Sequence, residues 1–206
     1  MTFPDRRFPD AAAYAAAYFE QIARATQSVD RARVAEAAAI LEASHREGAS
    51  IFACGNCGSA AIANHLVCDH CKGVATDTPL RPRVHSLSSN VEIITAIAND
   101  ISYEDVFAYQ LRNLARPGDV LVTISASGDS ENVVRALDVA KSGKMKTIAL
   151  TGFAGGRSAK IADVHLHVAA DNYGVIEDVH QGLMHILAQW LRIAHMEPGL
   201  VAKRKF

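Results

Sequence analysis

Two short Gly/Ser segments, each following an apolar run, carry the clearest chemical signal in the chain. The first is Cys54-Gly55-Asn56-Cys57-Gly58-Ser59, after Ile51-Phe52-Ala53. The second is Ser125-Ala126-Ser127-Gly128-Asp129-Ser130, after Val120-Leu121-Val122-Thr123-Ile124. Small residues that leave a strand and open a helix expose successive backbone N–H groups. They add hydroxyl donors and sit at the positive end of a helix dipole, an arrangement that suits phosphate. Either loop alone reads equally well as a tight turn. Two of one design point to a site that grips a phosphorylated small molecule. The candidate binding residues are Asn56, Gly58, Ser59, Ser125, Ser127 and Ser130.

A second set of residues has the types needed to move protons or hold a metal. His65 and Asp69 stand four apart and share one helix face, either as a surface ion pair or as half of a site. Glu177, Gln181 and His185 follow in steps of four, with His180 beside them, in a stretch that also holds Leu183, Ile186, Leu187 and Trp190. That polar stripe faces either solvent or a site. His65, Asp69, Glu177 and His185 together offer two imidazoles and two carboxylates, a donor set suited to zinc or a similar divalent ion. They converge if both helices begin at the same edge of a sheet, and two facing carboxylates then need a cation or a proton between them.

The four cysteines offer a rival metal site. Cys54, Cys57, Cys68 and Cys71 form two C-x-x-C pairs, a zinc-like spacing. Their setting argues against it, because Cys54 ends an apolar strand and Cys68 and Cys71 fall within a helix. A chain with this much core also needs no metal to fold, and a reducing compartment disfavours a disulfide. Among the other histidines, His165 and His167 alternate on one face of a strand and read as solvent-side. His45, His85 and His195 show no partner in sequence. His70 and Lys72 follow Asp69 closely enough to reach a sugar.

The elements that must position these residues alternate in type. Residues 10–26 and 31–47 read as amphipathic helices. Strands are expected at Ser50–Cys54, Val84–Ser88, Val120–Ser125, Lys146–Thr151 and Val164–Val168. Helices are expected at Ser59–Lys72, Asn90–Ala98, Tyr103–Leu114 and Glu131–Lys141, with a short turn at Arg157–Ile161 and a long helix over about Val175–His195. Alternation of this kind means an α/β fold with a parallel sheet covered on both faces. Ligands of such sheets bind at the carboxyl ends of the strands, where both Gly/Ser loops fall.

Composition narrows the class further. The 206 residues are half hydrophobic and one-fifth charged, enough for one substantial core, so residues 1–206 read as a single domain. Residues 1–48 form its leading helical segment, packed on the domain or on a neighbouring subunit. With 21 basic and 22 acidic residues interspersed, nothing favours nucleic acid or an anionic membrane. The basic tail Lys203-Arg204-Lys205 reads as a frayed end. No apolar run is long enough to span a bilayer and no leader pattern opens the chain, so a cytoplasmic protein is expected.

Several motifs carry a family resemblance. Cys54-Gly55-Asn56-x-Gly58-Ser59-Ala60-x-x-Ala63-x-His65 resembles the first motif of sugar isomerase (SIS) domains of the phosphoheptose isomerase type. So do Asn99-Asp100, Ser125-x-Ser127-Gly128-x-Ser130 with Asn132, Leu150-Thr151-Gly152, and His185-Ile186-Leu187-x-Gln189. The resemblance implies a three-layer, Rossmann-like SIS fold with a five-stranded parallel sheet and two N-terminal helices. It implies a homo-oligomer, commonly a tetramer, with sites near subunit boundaries. It also implies isomerisation of sedoheptulose 7-phosphate to D-glycero-D-manno-heptose 7-phosphate, toward lipopolysaccharide or capsule heptose.

Residue by residue, the resemblance places a phosphate cradle on Ser59, Ser125, Ser127 and Ser130, and further substrate contacts on Asn99 and Asp100. It places zinc on His65, Asp69, Glu177 and His185. Asp69 stands where the family has its catalytic Glu, Glu177 where it has Gln, and Ala126 where it has Thr. Gly174 and Gly73 replace a family Asp and Arg. An enediol route needs a carboxylate base and a second acid/base group. Asp69 and His185 fill those roles, or Glu177 replaces Asp69 as base. The alternatives are an isomerase of another phosphosugar and a catalytically silent SIS module that binds a sugar phosphate or a protein.

Overall fold

The computed structural model describes residues 2–206. Its five strands are β1 (Ser50–Gly55), β2 (Arg83–Ser86), β3 (Val120–Ser125), β4 (Lys146–Thr151) and β5 (Val164–His167). All pair in parallel in the order β2-β1-β3-β4-β5. The expected α/β class and five-stranded parallel sheet are therefore the observed ones. Alternation along the strands sends Ile51, Ala53, Val120, Val122, Ile124, Ile148 and Leu150 to one face. Phe52, Cys54 and Leu121 go to the other.

The first face is covered by α1 (Ala11–Ser28), α2 (Arg31–Glu47), α3 (Cys57–Cys68) and α8 (Tyr173–His195). The second is covered by α4 (Val91–Asp100), α5 (Ala108–Leu114) and α6 (Glu131–Ser142). A short α7 (Ser158–Ile161) precedes β5. Aspartates and asparagines open the long helices. Asp10 accepts from Ala13 N, Asp30 from Ala32 N and Asn172 from Val175 N, each satisfying an amide that the helix leaves free. The leading helices pack on the domain itself, α1 against α8, and α2 against α8 and β5.

Three departures from the sequence expectations bear on the architecture. The helix expected over Ser59–Lys72 is α-helical only to Cys68 and continues as a π turn, Asp69–Val74. The helix expected over Tyr103–Leu114 is a 3₁₀ turn, Tyr103–Asp105, followed by α5. Asp105 accepts from Ser102, Arg112 and Arg135, which ties that turn to α5 and α6. The basic tail is not frayed. After α9 (Pro198–Val201), Arg204 pairs with Asp77 at 2.7 Å, and the buried Arg192 bonds the Lys205 carbonyl and lies over the Phe206 ring.

Three imidazoles are buried: His45, His70 and His180. Burial disfavours their charged forms and lowers them to about 4, about 3 and about 4. Between about pH 6.5 and 4 the unfolded chain binds protons at these sites and the folded chain does not. Stability therefore falls as pH falls through that window. Urea unfolding at pH 7.5 and pH 5.0 is expected to show a loss of about 1–2 kcal/mol per buried imidazole. His180→Leu should reduce the loss, and an equal loss in that variant would show that His180 is not buried neutral.

Candidate active site

Both Gly/Ser loops lie at the carboxyl edge of the sheet, β1 running into the first and β3 into the second. Gly55 is in close quarters, since a Cβ there would stand 2.7 Å from the Ile124 and Ser59 carbonyl oxygens. Asn56 and Asn132 exchange amide hydrogen bonds of 2.9 and 3.0 Å, which locks the first loop to the first turn of α6. Tyr103 Oη adds a 3.1 Å bond to Asn56 Oδ1. In the second loop Gly128 N donates to the Ser125 carbonyl and hydroxyl, and Asp129 N donates to Ser127 Oγ. Ser59 and Ser125 are buried, while Ser127 and Ser130 are half-buried. The Ser130 hydroxyl makes no bond to the helix it precedes. Asn99 and Asp100 sit at the exposed end of α4, joined by a 2.7 Å bond, and neither bonds to the loops.

A cluster of donors forms further along α3 and α8. His65 Nε2 lies 3.2 Å from Asp69 Oδ1, and His185 Nε2 lies 3.6 Å from Asp69 Oδ2. The two imidazoles meet edge to face at 5.3 Å. Gln181 Nε2 lies 2.9 Å from His185 Nε2, so the amide end is within hydrogen-bonding reach of the ring. Ligand atoms of His65, Asp69 and His185 all fall within 4.8 Å of one another. Asp69 Oδ2 is buried and has no hydrogen-bond partner. An unpaired carboxylate oxygen between two imidazoles fits a divalent cation, and these three residues have the chemistry to hold one.

Within the chain, Glu177 does not join this group. Glu177 and His185 lie eight residues apart on one continuous helix, about 12 Å along its axis. The Glu177 carboxylate instead packs over Gly58, where a Cβ would approach its Oε1 to 2.6 Å. Burial, followed by the neighbouring Asp178 charge, raises its pKa. The Gly174 departure also has a local account. A Cβ there would stand 2.7 Å from the Tyr18 hydroxyl, which donates to Asp178 at 2.7 Å. No side chain replaces the family Arg at Gly73, where a Cβ would meet open space.

Other sequence expectations are corrected. His70 does not reach toward a sugar; it is buried and pairs with His45 at 3.0 Å, so His45 also has a partner. His195 has one in Glu42, at 3.1 Å. His165 and His167 are half-buried and flank the Thr151 hydroxyl, at 2.6 and 3.4 Å. Among the described residues no cysteine enters a group able to hold an ion, and all four thiols are free. The Asn56–Asn132 exchange, the Tyr103 bond and the Tyr18–Asp178 bond escaped sequence reading. Each joins residues 47 or more apart, and no local pattern announces it.

The SIS domain family model matches residues 14–152. A phosphoheptose isomerase of Mycobacterium tuberculosis (strain ATCC 25177 / H37Ra) is 37% identical over 192 residues, covering 91% of this chain and 95% of the relative. One from Azoarcus sp. (strain BH72) is 40% identical over 76% of this chain and 80% of its own length. The chain belongs to the phosphoheptose isomerase family. Solved structures agree. A phosphoheptose isomerase from Francisella tularensis superposes with a TM-score of 0.80 at 30% identity, covering 88% of this chain and 98% of that one. One from Neisseria gonorrhoeae gives 0.79 at 34%, covering 86% and 96%.

The glycines of the two loops separate chemistry from folding in this family member. The atoms nearest an added Cβ at Gly58 all belong to the flexible end of Glu177, so Gly58→Ala should fold with its melting temperature nearly unchanged. Its turnover should fall at least about tenfold if the Glu177 carboxylate serves the site. Gly128 has φ +68°, and its Cβ would overlap the Gly155 carbonyl oxygen. Gly128→Ala should cost about 2 kcal/mol or more and lower the melting temperature by several degrees. Calorimetry with steady-state kinetics checks both, and full activity in Gly58→Ala would remove Glu177 from the chemistry.

Proposed function

We propose that the protein is a phosphoheptose isomerase that interconverts sedoheptulose 7-phosphate and D-glycero-D-manno-heptose 7-phosphate through an enediol. The observation that carries this reading is Asp69, held between two imidazoles in a chain of this family. The two loops bind the phosphate through Ser59, Ser125, Ser127 and Ser130, with Asn56, Gly58, Asn99 and Asp100 on the sugar. From the ketose, Asp69 takes a C1 proton as the C–H electrons form the C1–C2 double bond of the enediol. His185 protonates the carbonyl oxygen in the same step. Return of a proton to C2, with loss of the C1 hydroxyl proton, gives the aldose. Glu177, protonated more readily than an ordinary carboxyl, is the second candidate for shuttling these protons.

The proton transfers assigned to Asp69 and His185 belong to the metal-free site; with zinc bound, His65, Asp69 and His185 would hold it, with Glu177 of a second copy as the fourth donor. A bound ion there would polarise the sugar oxygens. The helix geometry supports assembly of this kind. Ser59 and Asp69 are ten residues apart, about 15 Å along α3 and its continuation, so the cradle and the cluster stand at opposite ends of it. A homotetramer that apposes the loop edge of one copy to the cluster of another brings them together. Cytoplasmic placement accords with the chemistry of the substrate. Among the described residues no helix is long and apolar enough to cross a membrane.

The test is a panel of ketose phosphates assayed with and without Zn²⁺. The seven-carbon substrate should be preferred, and inertness toward all of them would overturn the assignment. Ser127→Ala should raise KM about tenfold or more with little change in kcat, because it removes one charge-assisted bond. Elemental analysis should find about one divalent ion per chain, lost in His65→Ala and kept in Cys68→Ser. Metal lost with the cysteine would return the site to the C-x-x-C pairs.

A further inference from the structure

Asp69 stands where α3 ends and the π turn Asp69–Val74 begins. Its own N–H is shared between the His65 and Leu66 carbonyls, a common pattern at a helix end. A π turn is an uncommon, locally wider coil that needs an external reason to persist, and it recurs at functional sites. Its residues divide sharply. Cys71 and Lys72 are exposed, while His70 is 2% exposed.

His70 enters a core of Leu41, Leu66, Val122, Ile148, Leu150, Met184 and Leu187, around a void of only about 10 Å³. That space is at most one water's worth, so the ring is held on all sides. An apolar side chain would suit this place better, since a buried polar ring loses its hydration. The ring has a polar partner in His45 of α2, Nε2 to Nδ1 at 3.0 Å. His45 Nδ1 is buried without a partner. Were it to carry the proton, a donor would be orphaned, which is rarer and costlier than an unused acceptor. The proton therefore sits on His45 Nε2, which donates to His70 Nδ1. Both rings are neutral at pH 7, in keeping with their lowered pKa values.

We propose that the His45–His70 hydrogen bond is a positioning device that fixes the rotation of the π turn and so aims Asp69 between His65 and His185. The physical reason is directionality. Apolar packing fills the volume without selecting a polar direction, whereas a hydrogen bond specifies one donor and one acceptor. The bond ties the turn to α2, an element that otherwise has no part in the cluster. Neither imidazole touches substrate. The inference rests on the proposed isomerase only for its kinetic readout.

Three variants separate direction from bulk. His45→Gln/His70→Asn keeps a donor and an acceptor near the positions of the Nε2 and Nδ1 atoms. His45→Leu/His70→Leu fills the volume, removes both polar groups and orphans neither. His45→Met serves if the double leucine variant fails to fold. Hydrogen exchange of the amides of residues 69–74 is measured on the intact protein, with the first turns of α3 as internal reference. In the leucine or methionine variant these amides should exchange at least about tenfold faster while the reference is unchanged, and kcat should fall about 10–100-fold with KM within about twofold. The Gln/Asn variant should restore both. Exchange and kcat within about twofold of the parent in the leucine or methionine variant would overturn the proposal. So would a Gln/Asn variant as impaired as the apolar ones. If the parent isomerises no ketose phosphate, the isomerase reading fails, and the exchange data still decide the positioning role.

Discussion

Asp69 carries a carboxylate in a half-buried place where one of its oxygens has no hydrogen-bond donor and both face imidazole nitrogens. The oxygen left without a hydrogen bond there calls for a donor or a cation to satisfy it. That requirement orders the rest of the molecule. Parallel strands start α3 and α8 at one sheet edge, so both helices run back across the same face. His65 and His185 then arrive at the same depth as Asp69, and Gln181 lies 2.9 Å from His185 Nε2. The fold supplies the direction of approach, and the side chains supply the charge balance.

The site divides by depth. At the sheet edge lie small residues, backbone N–H groups and hydroxyls, braced by the Asn56–Asn132 amide exchange. Three helical turns further on lie the imidazoles and the carboxylate. The first end has the donors for a phosphate and the second has groups that accept and return protons. Their separation explains why Glu177, although on the same helix as His185, belongs to the edge and not to the cluster.

Much of this architecture was legible in the chain. The bounds of β3, β4 and the second leading helix coincide with the expected ones, because Pro-Gly, Gly and Asp punctuation brackets each of them. Both loops and the His65/Asp69 and His185 faces were readable because their spacing is local. The π turn was not, because no local pattern announces it and its buried His70 pairs with a residue 25 positions earlier, in another helix. The anchored tail was missed for the same reason, since Asp77 lies 127 residues from its partner Arg204. Periodicity alone did not show that Glu177 lies apart from the cluster within the chain. Residues in steps of four share a helix face, yet the first and last of three such residues stand two turns apart along the axis.

The account stands on Asp69 as the group that moves the carbon-bound proton. Its most direct test is deuterium incorporation at C1 and C2 of sedoheptulose 7-phosphate in D₂O, comparing the parent with Asp69→Asn and Glu177→Gln. The asparagine keeps the shape and removes the basicity, so exchange should slow at least about 100-fold in Asp69→Asn while substrate still binds. Full exchange in Asp69→Asn, with loss in Glu177→Gln, would contradict the account and move the base to Glu177.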